Sequence, residues 1–128
     1  FELLYDFLKN EPFDRVGAFA FCPEDGTKAA LMDGQIDEAT AKARLDKIMR
    51  MQQTVSLELN KKRIGKEYEV LIERVDKDAC YGRSYAEAPD VDGIIKIINI
   101  PASVKPGDFV YAKITDASSY DLKGEFVK

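Results

Sequence analysis

The feature that most narrows the fold is the rhythm of residues 66–128, where short apolar runs alternate with turn residues. Tyr68, Val70 and Ile72 alternate with Glu67, Glu69 and Glu73, the period of a strand with one buried face. Similar runs predict strands over 80–85, 93–100, 109–114 and 122–127, the third carrying Ile94, Ile95, Ile97, Ile98 and Ile100. Lys105-Pro106-Gly107-Asp108 opens the fourth with a tight reversal. Five short strands at this spacing predict a small closed or nearly closed antiparallel barrel of the OB-like kind. A domain of roughly sixty residues buries little surface, so docking on the preceding helix is expected to help.

That helix is predicted over 37–63. Asp37 suits an N-cap, and Glu38 places negative charge in the first turn. Ala41, Leu45, Ile48, Gln52, Val55 and Leu59 form one narrow stripe, the pattern of a connecting helix packed along one neighbour. An inward Gln52 needs a partner, at a domain junction or from a ligand. Lys61, Lys62 and Arg63 complement the helix dipole or touch nucleic acid, and Gly65 supplies the stop. Residues 1–36 read as a short helix (Phe1, Leu4, Tyr5 and Leu8 on one face), then a strand over 13–21 and a loop with Pro23 and Gly26. One strand makes no core, and the chain opens inside a helical pattern. The expectation is therefore a fragment of a larger α/β domain, with an exposed edge at 13–21 that is disordered or pairs between copies.

Several chemistries are excluded. There is no histidine, which removes histidine triads, histidine metal sites and the usual general base near neutral pH. Cys22 and Cys80 are too few for a disulfide scaffold or an ordinary four-cysteine cluster. No apolar stretch is long enough for a membrane helix. Residues 66–128 hold nine Lys and Arg against twelve Asp and Glu, a net charge of −3. An acidic barrel repels phosphates, which makes RNA the less favoured partner. It suits a basic protein, or serves solubility alone.

Three segments carry a resemblance. They are Phe13-Asp14-Arg15-Val16-Gly17 through Phe21-Cys22-Pro23-Glu24-Asp25-Gly26-Thr27-Lys28-Ala29; Arg44-Leu45 with Met49-Arg50-Met51-Gln52-Gln53; and Gly82-Arg83-Ser84-Tyr85 through Ala88-Pro89-Asp90-Val91-Asp92-Gly93, followed by Gly107-Asp108-Phe109-Val110 and Tyr120-Asp121-Leu122. Together they resemble the C-terminal part of the radical-SAM methylthiotransferases of the MiaB/RimO family. Glu24, where the tRNA-modifying branch usually has Arg, points to the branch that modifies a ribosomal protein. Phe21-Cys22 departs from the usual Tyr-Ser.

The resemblance implies an α+β fragment. Residues 1–36 would be the terminal helix and strand of a radical-SAM α/β barrel, 37–65 a linking helix and 66–128 a TRAM domain. It implies a cytoplasmic parent enzyme with two 4Fe–4S clusters and S-adenosylmethionine, adding a methylthio group to the β-carbon of an aspartate in a basic small-subunit ribosomal protein. The Cys-x3-Cys-x2-Cys motif would lie upstream, leaving this piece inactive alone and without cofactor. Glu24, Gly26 and Thr27, just after the predicted strand, are candidates for the cofactor side of the barrel mouth, or simply close a loop. Arg83, Tyr85, Asp90, Asp92, Tyr120 and Asp121 are candidates for contacting the substrate. Turn chemistry at Asp90, Asp92 and Gly93 is the competing reading, and Tyr120 and Asp121 would otherwise start the last strand. Asp90 and Asp92 lack the further oxygen ligands of a metal site. An RNA-binding TRAM domain of a tRNA methylthiotransferase is the alternative function, and a purely structural clamp fits either branch.

Overall fold

A barrel of five strands forms where the alternating pattern predicts it, and it closes in the order β1-β2-β3-β5-β4. The strands are β1 (Glu67–Val75), β2 (Ala79–Arg83), β3 (Ile95–Ile98), β4 (Phe109–Ala117) and β5 (Leu122–Phe126). The computed structural model describes all 128 residues, which fall into two units, Phe1–Val55 and Ser56–Lys128. Four of the five strand junctions are antiparallel, whereas β3 and β5 run parallel. This corrects the wholly antiparallel expectation. A closed ring with an odd number of strands cannot alternate direction all the way round, so at least one neighbouring pair must be parallel. Strand β3 is shorter than its isoleucine run because Asn99 adopts a left-handed φ of 60° and Pro101 has no N–H to pair.

Inside the barrel, Val70, Ile72, Cys80, Ile95, Ile97, Val110, Ala112, Ile114 and Leu122 form one buried cluster. Full burial of a large aliphatic side chain contributes roughly 1.5–3 kcal/mol. A surface ion pair contributes roughly 0–1 kcal/mol, so the interior holds the barrel. Burial also pushes the Cys80 thiol pKa up, as expected of a small apolar filler. Two irregularities sharpen the curvature, between Ile72 and Arg74 in β1 and between Ile114 and Asp116 in β4. Gly82 lies where a Cβ would stand 2.1 Å from the Leu71 carbonyl oxygen, so β2 crosses β1 too closely for any side chain.

Helix α2 (Glu38–Lys61) starts as read: Asp37 accepts from the Thr40 N–H at 2.9 Å and from the Thr40 hydroxyl at 2.6 Å. These bonds hold the Asp37 carboxyl below its ordinary pKa. The buried positions are Ile48, Gln52, Ser56 and Asn60, while Val55 and Leu59 are half-buried. The stripe thus turns polar where it serves backbone. The Asn60 amide donates to the carbonyls of Ser118 and Ser119, at 3.0 and 3.3 Å, and ties the end of the helix to the β4–β5 turn. Gly65, at φ 84°, reverses the chain into β1.

In the first unit, α1 (Glu2–Asn10) leaves Phe1, Tyr5 and Leu8 half-buried, with Arg44 over the Phe1 ring and Lys47 over Tyr5. Leu4 is exposed instead. The strand expected over 13–21 does not form. A strand is made by its neighbour's hydrogen bonds, and this unit contains no other strand. The Phe13 carbonyl accepts from the Gln52 amide at 3.0 Å, and Phe19 is almost fully exposed. Of the aromatic run, Phe13 packs on Phe7 with ring centroids 5.8 Å apart, while Phe19 and Phe21 stay exposed.

Gly82→Ala should cost the barrel about 1–3 kcal/mol by overpacking. Gly17→Ala, where a Cβ would meet nothing within 4 Å, should be near neutral. Urea midpoints of the two variants check this, and equal midpoints would refute the close strand crossing.

Candidate partner-binding groove

The outward positions of the strands carry what the core leaves free. Leu71 stands opposite Arg83 on one side and Phe109 on the other, which makes a row across β2, β1 and β4. One register step along, Glu69 faces Tyr111, and beyond that Glu67 faces Lys113. Tyr85 stands just past the end of β2, 90% exposed, its ring centroid 6.3 Å from that of Tyr68. These elements bound a groove of about 580 Å³ lined by Glu67, Tyr68, Glu69, Leu71, Arg83, Ser84, Tyr85 and Phe109. Phe109 is 65% exposed, an unusual position for a large aromatic in a strand.

The groove's charge is decided by which cations are already engaged. Arg83 Nε donates to Glu73 at 2.7 Å. Arg63, just after α2, donates to Glu87 Oε1 at 2.5 Å and to Ser84 Oγ at 3.0 Å. The Glu87 side chain is 2% exposed, and its second oxygen accepts from the Ser84 N–H and hydroxyl. Burial alone would raise the Glu87 pKa, but Arg63 and Ser84 outweigh it and hold the carboxyl below the ordinary range. Arg63 is likewise raised despite its desolvation. Its guanidinium lies 4.5 Å above the Tyr68 ring. The Tyr111 hydroxyl donates to Glu69, which raises the phenol's pKa. Carboxylates and open rings therefore dominate the groove.

The barrel also carries a row of cations, Arg74, Lys96 and Lys123, with Tyr81 between the first two. Asp76 lies 3.8 Å from Arg74 and Asp116 lies 3.6 Å from Lys123. These pairs offset part of the row's charge, and the Lys96 ammonium lies 5.9 Å from the Tyr81 ring centroid.

The candidates from sequence divide into three places. Arg83 and Tyr85 line the groove. Asp90, Asp92, Tyr120 and Asp121 stand outside it, where local structure uses most of them. Asp92 accepts from the Ala88 N–H, and Asp90 takes a left-handed φ of 60°. Asp121 accepts from the Ile94 N–H, and Gly93 passes so close to the Tyr120 carbonyl that a Cβ there would lie 1.8 Å away. Glu24, Gly26 and Thr27 form one exposed turn of the first unit. Gly26 has φ 81°, and the Thr27 hydroxyl donates to the Glu24 carbonyl and accepts from the Ala30 N–H. No three His, Cys, Asp or Glu side chains are placed to hold a metal ion. The residues present do not fit an iron–sulfur cluster: Cys22 is exposed in one unit and Cys80 is buried in the other. Sequence reading missed Leu71, Phe109 and the Arg63–Glu87 pair. Phe109 was findable, since it falls outside when Val110, Ala112 and Ile114 fall inside.

Comparison with known proteins places a TRAM domain at residues 64–127. The ribosomal protein uS12 methylthiotransferase RimO of Caldicellulosiruptor saccharolyticus is 48% identical over 99% of the chain. Its counterparts in Thermoanaerobacter sp. and Clostridium perfringens are 42% and 46% identical over 98% and 97% of it. The chain spans under a third of the length of these relatives (29%, 29% and 27%) and matches their C-terminal part.

The buried pair makes barrel stability fall in acid. Because the Glu87 pKa is depressed by folding, its contribution is complete above the ordinary glutamate value and is lost as pH falls through the depressed one. Glu87→Ala should cost about 3–5 kcal/mol at pH 7, since it strands a buried guanidinium. Glu87→Gln should flatten the acid side of the stability profile. Urea midpoints measured from pH 7 downward read this, and an unchanged profile in Glu87→Gln would refute it.

Proposed function

Since the chain belongs to the TRAM domain family and matches the C-terminal part of the RimO methylthiotransferases over nearly its whole length, we propose that it is the substrate-recognition portion of such an enzyme. In this reading the parent is a cytoplasmic radical-SAM enzyme that adds a methylthio group to the β-carbon of an aspartate in a small-subunit ribosomal protein. The barrel docks that basic protein and orients it toward an active site built by residues outside this chain. The parent's two 4Fe–4S clusters and S-adenosylmethionine belong to that active site. The turn carrying Glu24, Gly26 and Thr27 is assigned to the cofactor side of the radical-SAM domain.

The observation that carries the reading is the groove of open rings and carboxylates on a barrel with more acidic than basic side chains. Such a surface attracts a cationic polypeptide and repels a phosphate backbone. No helix here is long and apolar enough to cross a membrane.

The chain should bind purified ribosomal protein uS12 saturably, with affinity that weakens as salt rises. Transfer RNA should not compete at physiological ionic strength. Calorimetric titration of the chain with each decides the matter. Tight, salt-sensitive capture of tRNA would favour the RNA-binding alternative, and binding to neither would leave the barrel a structural clamp.

A further inference from the structure

We propose that the groove over β1 and β4 is a seat for one long cationic side chain, arginine or lysine, of an extended basic peptide. This rests on the partner-recognition reading and deepens it by naming the group recognised. The aliphatic stem would lie on Leu71, the charged head against the faces of Tyr85 and Phe109, and the charge near Glu67 and Glu69.

Four observations support this seat. Tyr85 and Phe109 are 90% and 65% exposed within one groove, so covering them removes large apolar surface from water. The groove's own cation, Arg83, is held by Glu73 at 2.7 Å, so the two carboxylates that line the groove, Glu67 and Glu69, face Lys113 across the strand pair and the Tyr111 hydroxyl rather than Arg83. The same chemistry occurs beside the groove: the Arg63 guanidinium lies 4.5 Å over the Tyr68 ring with its charge on Glu87. Guanidinium groups favour this combination of ring face and carboxylate. Finally, the backbone that presents Tyr85 is anchored: its neighbour Ser84 is bound three ways to Glu87 and Arg63, and the Tyr85 ring centroid lies 6.3 Å from that of Tyr68. An anchored backbone lowers the entropy lost on binding.

The test titrates the 128-residue chain with a ten-residue peptide of alternating Gly and Arg, with the same peptide carrying neutral citrulline for Arg, and with single-stranded oligouridylate. The Arg peptide should bind, the citrulline peptide should bind at least tenfold more weakly, and the oligonucleotide should not bind. Tyr85→Ala and Phe109→Ala should each weaken the Arg peptide about threefold to fivefold, the scale of an exposed cation–π contact. The Glu67→Gln, Glu69→Gln double variant should reduce the salt dependence. Ile98→Ala, on β3 outside the groove, should bind as the parent chain does. The proposal is overturned if the two ring variants bind the Arg peptide like the parent chain, if citrulline substitutes for arginine, or if the oligonucleotide binds more tightly. A parallel titration with uS12 separates the two claims. Ring variants that keep full uS12 affinity sink the seat and spare the recognition reading. A chain that binds the Arg peptide in the groove but ignores uS12 does the reverse.

Discussion

Barrel closure is the constraint on which the rest depends. Five strands in some sixty residues can hide their apolar side chains only by curling into a ring, and that ring fixes which side of each strand faces out. Nine interior positions are filled by small and β-branched side chains together with Leu122, and Gly82 and Gly124 are buried where strands approach closely. Because the interior is complete without them, Leu71, Phe109 and Tyr111 need not contribute to the core. The exposure of Phe109 and Tyr111 on the outer face, beside a half-buried Leu71, is therefore a feature of the surface and not a failure of packing.

The second determinant is a balance between desolvation and pairing. Removing a carboxylate and a guanidinium from water costs several kcal/mol per ion. That cost is offset at Glu87 and Arg63 only because every near neighbour contributes: two donors from Ser84, a short ion pair, and the ring of Tyr68. The arrangement is more useful for specificity than for stability. It fixes the loop after β2, and with it the backbone position of Tyr85 at the mouth of the groove. A surface of rings and carboxylates then follows from ordinary strand alternation.

Much of this was legible in the chain. The helix start at Asp37, the stop at Gly65 and the five strands each rest on local rules, namely a side-chain cap, a left-handed glycine and two-residue alternation. The motifs around Arg83, Tyr85 and Gly93 were equally visible, and so was the resemblance they carry. The strand expected over 13–21 does not form because an apolar run states only that burial is wanted, whereas a strand requires a hydrogen-bonding neighbour. The stripe runs through Ser56 and Asn60 rather than Val55 and Leu59, and apolar periodicity cannot register backbone carbonyls such as those the Asn60 amide meets.

What the sequence determined by itself was the kind of object: a capped helix leading into a small acidic barrel, with no histidine and no cluster of thiols. What only the tertiary structure decided was the partnership of distant residues. The parallel β3–β5 contact, the joining of Arg63 to Glu87 across 24 positions, and the meeting of Leu71, Tyr85 and Phe109 around one groove all depend on ring closure. Local propensity acts over a few residues, while these contacts are set by the shape that a closed sheet must take.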